Sequence, residues 1–238
     1  MASIQPLDNI AHADIAVRTG HRAEWGDAIN QIAVLPNEFA GVQRSAPILF
    51  RDSDDGLAAI AILGFERDSN LFLDEGRWVA DYVPAMARTG PFRLGGGQDG
   101  TDPTVLIDMD DPRVAPIDAG SKDALPVFLE HGGNGPALES ALAALRTVHV
   151  GMAQLAAMGD RFADAGIVEP AALTVTRASG QQVKFDGYQA IAPDKLAALS
   201  GEQLQRLNAA GLLGPAFHAA ASLDNFNTLL ALDARRSG

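Results

Sequence analysis

Between positions 78 and 92 the chain carries Trp78, Asp81, Tyr82, Arg88 and Phe92, which combine three aromatic rings with a guanidinium and a carboxylate. Aromatic rings with arginine are what binding surfaces favour, because both bury area while keeping a polar handle for a partner. Such a group would hold a peptide or a small molecule. The same residues also fit an aromatic helix packed on a sheet, with Arg88 extending its stem toward water. Both readings stand at this level.

A second candidate is His12 with Asp14, which share one face of a strand if that segment is extended. A histidine–carboxylate pair could begin the site of a metal-dependent enzyme acting on a peptide or amino acid. Spacing offers no second ligand pair: His12, His21, His131, His149 and His218 show neither HxH nor HExxH. His149 falls on the apolar stripe of a helix, where it reads as a hydrogen-bonded core residue.

Other strings lead to weaker chemistry. Residues 95–100 satisfy GxGxxG, but Thr101-Asp102-Pro103 leads into a strand, and a dinucleotide site needs a helix to begin there. Asp52, Asp54 and Asp55 before Gly56 fail a calcium loop at its fifth and twelfth positions and read as a hairpin turn. Asp108, Asp110 and Asp111 read as solvated loop charge. No serine sits in a GxSxG elbow. With no cysteine there is no thiolate nucleophile, disulfide or Cys-based metal site. No cofactor is expected.

The elements that must position these residues begin with an apolar run at 46–50. A turn follows at 54–56, then a second run at 57–65 that is apolar on both faces, as a central strand is. Short strands are expected at 12–17, 31–35, 70–74, 92–94, 104–109 and 125–129. A 3–4 spacing over 78–87 predicts a short amphipathic helix stopped by Gly90-Pro91. After the boundary at 132–136, the spacing of Leu138, Leu142, Leu145, His149, Met152, Leu155 and Phe162 predicts a helix over 136–165. Gly151 and Gly159 each weaken it by about 1 kcal/mol relative to alanine, so a bend or break is expected there. A hairpin over 171–191 should turn at Ser179-Gly180. Helices follow at 193–199, at 200–210 with a Ser200/Gln203 capping box, and at 215–234. The fold class is α+β: an antiparallel sheet packed by a long helix, with a helical C-terminal part. Residues 1–134 form the mainly β region and 135–238 the helix-rich region, packed as one unit.

A net charge of −12 argues against nucleic acid or an anionic membrane as partner. The longest uninterrupted apolar run, residues 57–65, is far short of the roughly 20 residues that span a bilayer, so no membrane insertion is expected. The N-terminal residues show no basic segment followed by an apolar one, so a cytoplasmic location is expected.

Several of these runs resemble the bacterial SapC family. They are Phe39 with residues 45–50, the stretch 70–78, Asp81-Tyr82-Val83-Pro84-Ala85 and Pro91-Phe92. Farther on come Gly187-Tyr188, Lys195-Leu196, Leu199, the turn at 208–213 and Ser222-Leu223-Asp224-Asn225. The sequence departs from the family pattern at Met86-Ala87-Arg88-Thr89-Gly90, where a second arginine and a tyrosine are usual, and is shortened around 125–135. The resemblance implies a soluble accessory role in surface uptake or peptide modification. Implied partners are a protein or peptide, such as a flavin-dependent tryptophan-halogenase-like protein or a TonB-dependent receptor system. It implies no catalytic residues. The permease label common in the family conflicts with the hydropathy. A structural role in a surface layer is the third reading, against which the lack of repeats counts.

Overall fold

The hairpin at the centre of the molecule pairs Ile48–Ser53 with Gly56–Ile62 in antiparallel register, from Ile48 opposite Ala61 to Ser53 opposite Gly56. In this computed structural model residues 3–54, 56–96, 103–118, 123–171 and 173–237 are described. Asp55 and most of the GxGxxG string lie outside them. Gly56 takes a φ of 106°, which a side-chain-bearing residue would resist. The hairpin lies inside a five-stranded antiparallel sheet, ordered Val168–Pro170, Gln189–Ile191, Ile48–Ser53, Gly56–Ile62, Gln31–Ala33. Residues Ala59 to Ile62 are buried on both faces, as their unbroken apolar run requires.

The strands expected downstream belong to separate small sheets instead of extending the central one. Ile4–Pro6, Thr104–Asp108 and Phe92–Gly95 make one; Val114–Pro116, Ile15–Arg18 and Ala124–Pro126 make another. Short strands broken by prolines 103, 112 and 116 lack the length to continue a large ladder. The Thr174–Thr176 and Gln182–Lys184 strands form the anticipated hairpin. The α+β class holds, with several antiparallel sheets in place of one.

One helix, Pro136–Ala165, ties these parts together. Its first turns give Leu138, Ala141 and Leu145 to a core shared with Val17, Phe92, Ile107 and Val127. Its last turns give Met158 and Phe162 to the main core, where the Phe162 ring meets Phe50 edge-on at 5.9 Å. The helix runs through Gly151 and Gly159 without the expected break. Both glycines serve close approach: a Cβ on Gly151 would lie 2.5 Å from Asn37 Oδ1 and 2.6 Å from Leu35 Cβ. The buried stripe also differs from the expected one. His149 and Met152 are exposed, while Ala141, Ala144 and Gly151 are buried. Counting only bulky residues misses a face made partly of small ones.

By length and composition alone this helix could cross a bilayer, with an 18-residue stretch of mean hydropathy 1.2, of which 28% is buried. The expectation of no insertion rests on unbroken apolar runs and does not weigh the averaged composition of this helix.

Residues 78–87 are not a helix. Arg77–Trp78 pairs with Leu73–Asp74 across a two-residue turn in which Glu75 and Gly76 both have positive φ, 43° and 78°. Only Ala85–Arg88 is helical. Pro84 sets that start, because it disfavours helical backbone at Val83 and donates no hydrogen bond of its own. In the C-terminal part, the Ser200/Gln203 capping box forms as expected. The final helix divides into Leu213–Ser222 and Phe226–Ser237 around a tight turn, Leu223–Asn225. There Ser222 Oγ accepts from the Ile48 amide at 2.8 Å and Asn225 Nδ2 donates to the Gln43 carbonyl at 2.6 Å, so both polar groups at the turn are anchored inward.

Candidate functional site

Glu38 ends the turn Pro36–Glu38 with its carboxylate buried, a position that charge tolerates only with full hydrogen bonding. Three donors supply it. Oε1 accepts from the Tyr82 hydroxyl at 2.8 Å and the Ala85 amide at 2.6 Å, and Oε2 from the Leu35 amide at 3.3 Å. Burial, then the Glu38 charge, pushes the Tyr82 phenol up to about 12. It therefore stays protonated at neutral pH and donates to Glu38 while accepting from Arg88 Nη2 at 3.0 Å. Arg88 is fixed further by Nε donating to the Val83 carbonyl at 2.9 Å and by its guanidinium lying 5.3 Å from the centre of the Tyr82 ring. Its Nη1 remains without a protein acceptor among the described residues.

Arg88 forms part of the wall of a cavity of about 280 Å³. One side is the end of the Ile15–Arg18 strand and its exit through Thr19, Gly20 and His21. The second is the segment from Val83 to Phe92, and the third is the start of the long helix at Ala137, Ser140 and Ala141. Arg113 and Leu125 close it. Val17, Val83, Ala87, Phe92, Leu125 and Ala141 make the lining mainly apolar, and its charged groups are Arg18, Arg88 and Arg113, with His21 beside them. No Asp or Glu lines it among the described residues, in a chain of net charge −12.

These cations are not equivalent. Arg113 is neutralised by Asp111 in a two-pronged pair, Nε to Oδ1 at 2.8 Å and Nη2 to Oδ2 at 2.6 Å. Burial opposes the Asp111 charge, but Arg113 outweighs it and holds the carboxyl below its usual range. Arg18 donates to the Pro112 carbonyl at 3.3 Å. Neither Arg18 nor Arg88 has an ion-pair partner among the described residues. Behind the wall, His21 Nδ1 lies 3.5 Å from Asp27 Oδ2, and its ring meets Trp78 at 5.4 Å in an edge arrangement. Trp78 Nε1 is buried with no hydrogen-bond partner among the described residues.

The structure thus divides the group singled out in the sequence. Arg88 and Phe92 reach the cavity, Tyr82 stands behind Arg88, and Trp78 stands behind His21. Asp81 is exposed, its amide donating to Ser45 Oγ at 3.2 Å. His12 is not in a strand with Asp14. It lies in a turn, its Nδ1 3.0 Å from both the amide nitrogen and the carbonyl oxygen of Asp8, while Asp14 is exposed. The strand begins only at Ile15, after Asp8 has bound the turn through the Ile10 and Ala11 amides. Sequence reasoning missed Glu38, Arg18, His21 and Arg113. A carboxylate set between apolar Leu35 and Phe39 was the available signal for Glu38.

A wider groove of about 560 Å³ lies between the central hairpin and the long helix, near Asp52, Leu57, Gly159, Asp160 and Gln189. Two of its polar groups are engaged within the wall: Gln189 Nε2 donates to Asp52 Oδ1 at 2.9 Å, and Ser53 Oγ to the Gly56 carbonyl at 2.7 Å. Among the described residues it holds no convergent cationic donors.

The chain belongs to the SapC family, whose model matches residues 7–229 and so spans the whole cavity wall. No curated protein and no solved structure matches it.

Proposed function

We propose that this SapC-family chain is a non-catalytic binding protein, an accessory component of a surface-uptake or peptide-modification system. Its ligand is a small molecule or a peptide end, taken into the cavity walled by Arg88, Phe92 and the first turns of the long helix. The observation that carries this reading is the state of Arg88. Two hydrogen bonds and a ring contact orient it at an apolar cavity, yet no carboxylate pairs with it directly among the described residues, Glu38 standing across the Tyr82 hydroxyl. A side chain fixed before binding loses little rotamer freedom on binding, which favours recognition. A volume near 280 Å³ is at the small end of ligand pockets, so the part held inside is small.

The test is capture from an extract. Purified protein is incubated with small molecules and peptides of its host, desalted, and the released species are identified by mass spectrometry. An Ala137→Leu variant, which places a larger side chain in the cavity wall, serves as comparison. The expected result is a species enriched by the wild type and absent from the variant. Equal enrichment by both would refute the cavity as the site, and chemical conversion of the species would refute a non-catalytic role.

A further inference from the structure

Resting on the reading above, we infer that the cavity selects a ligand with a terminal carboxylate on an apolar body. The charge pattern points to an anion. The cavity wall gathers three arginines and a histidine with no acidic residue among those described, although carboxylates outnumber Lys and Arg thirty to eighteen in the whole chain. Such a local inversion focuses a positive potential into a low-dielectric cleft.

Only part of that charge is free. Arg113 is neutralised by Asp111, and His21 faces Asp27. The charge without a direct ion pair among the described residues is therefore Arg88, which meets the Glu38 carboxylate through the Tyr82 hydroxyl, with Arg18 at the more exposed edge. A guanidinium held at Nε and Nη2, with Nη1 unpaired, accommodates one small planar anion. A phosphate or sulfate is a poorer fit. Sites for those ions surround the anion with several backbone N–H groups or converging cations. Here the donors are spread around apolar walls, and the surfaces of Val17, Val83, Ala87, Phe92, Leu125 and Ala141 would face hydrocarbon.

The experiment titrates wild-type protein by calorimetry with butanoate, 4-methylpentanoate and phenylacetate, each beside its neutral amide. N-acetyl-Ala-Leu represents a peptide C-terminus, and inorganic phosphate completes the set. At least one carboxylate should bind, and its amide should bind about tenfold or more weakly, the scale of one charged hydrogen bond. Arg88→Gln should remove that acid–amide difference by weakening the acid far more than the amide, whereas Arg88→Lys should keep part of it. A purely structural role for Arg88 would weaken acid and amide alike. Binding by the peptide alone identifies a chain end as the source of the carboxylate, and binding by the free acids identifies a small metabolite. Amides binding as tightly as acids, or phosphate binding more tightly than any carboxylate, would overturn the ligand class while leaving the cavity as the site. If no probe binds, or if Ala137→Leu leaves all binding intact, the cavity reading falls as well.

Discussion

Replacing Glu38 by alanine removes an acceptor that serves three donors at once. The Leu35 and Ala85 amides and the Tyr82 hydroxyl lose their partner in a buried setting. Breaking a buried charged network by deleting one member costs about 3–5 kcal/mol. For a chain of this size each kcal/mol lowers the melting temperature by roughly 2–4 °C, so Glu38→Ala should melt about 6–20 °C below wild type. Glu38→Gln keeps one acceptor oxygen for Tyr82 and Ala85 but turns an amide donor toward the Leu35 amide. Its loss should be smaller, about 1–2 kcal/mol. Urea unfolding followed by circular dichroism gives both values. Phenolate absorbance adds an independent reading, because without the Glu38 charge Tyr82 should ionise at lower pH than in wild type. Unfolding of Glu38→Ala within about 1 kcal/mol of wild type, or no change in Tyr82 ionisation, would refute the view that Glu38 organises the turn holding Arg88.

Tyr82 also makes stability fall in alkali. Its folded pKa is raised, so its contribution is complete below the ordinary tyrosine value near 10 and is lost as pH climbs toward about 12; Tyr82→Phe should abolish that component of a urea stability–pH profile. Gly151→Ala should destabilise despite the better helix propensity of alanine, because its Cβ meets Leu35 and Asn37 too closely, by about 1–3 kcal/mol for such overpacking. Gly159→Ala, whose Cβ would lie 3.2 Å from Leu57, should stay within about 1 kcal/mol of wild type in the same urea assay. Arg177 joins the hairpin at 174–184 to Asp233 and Glu66, so Arg177→Met should lower the melting temperature and increase proteolysis near the C-terminal helix.

The central hairpin, the long helix and the Ser200 capping box were legible because each is written in local periodicity or local chemistry. The two three-stranded sheets were not, because each is completed by pairing across about a hundred residues, Ile4 with Asp108 in one and Val17 with Val114 and Leu125 in the other. The helix expected over 78–87 failed where Pro84 outweighed an apolar spacing. Arg88 and Phe92, which line the cavity, were legible as candidates from their types. Arg18, His21 and Arg113 were not, because nothing near them in the chain shows that a strand exit and a loop share one cavity with the Val83–Phe92 segment. Glu38 shows the same limit: beside the local Leu35 amide, two of the donors that satisfy its buried carboxylate lie 44 and 47 residues away.

The most direct test is a map of amide chemical shifts on ¹⁵N-labelled protein titrated with phenylacetate. Shifts should concentrate at residues 17–21, 83–92 and 137–141, saturating together, and should vanish in Ala137→Leu. Shifts concentrated in the groove near Asp52 and Gln189, or along the exposed face at His149 and Met152, would contradict the placement of the site.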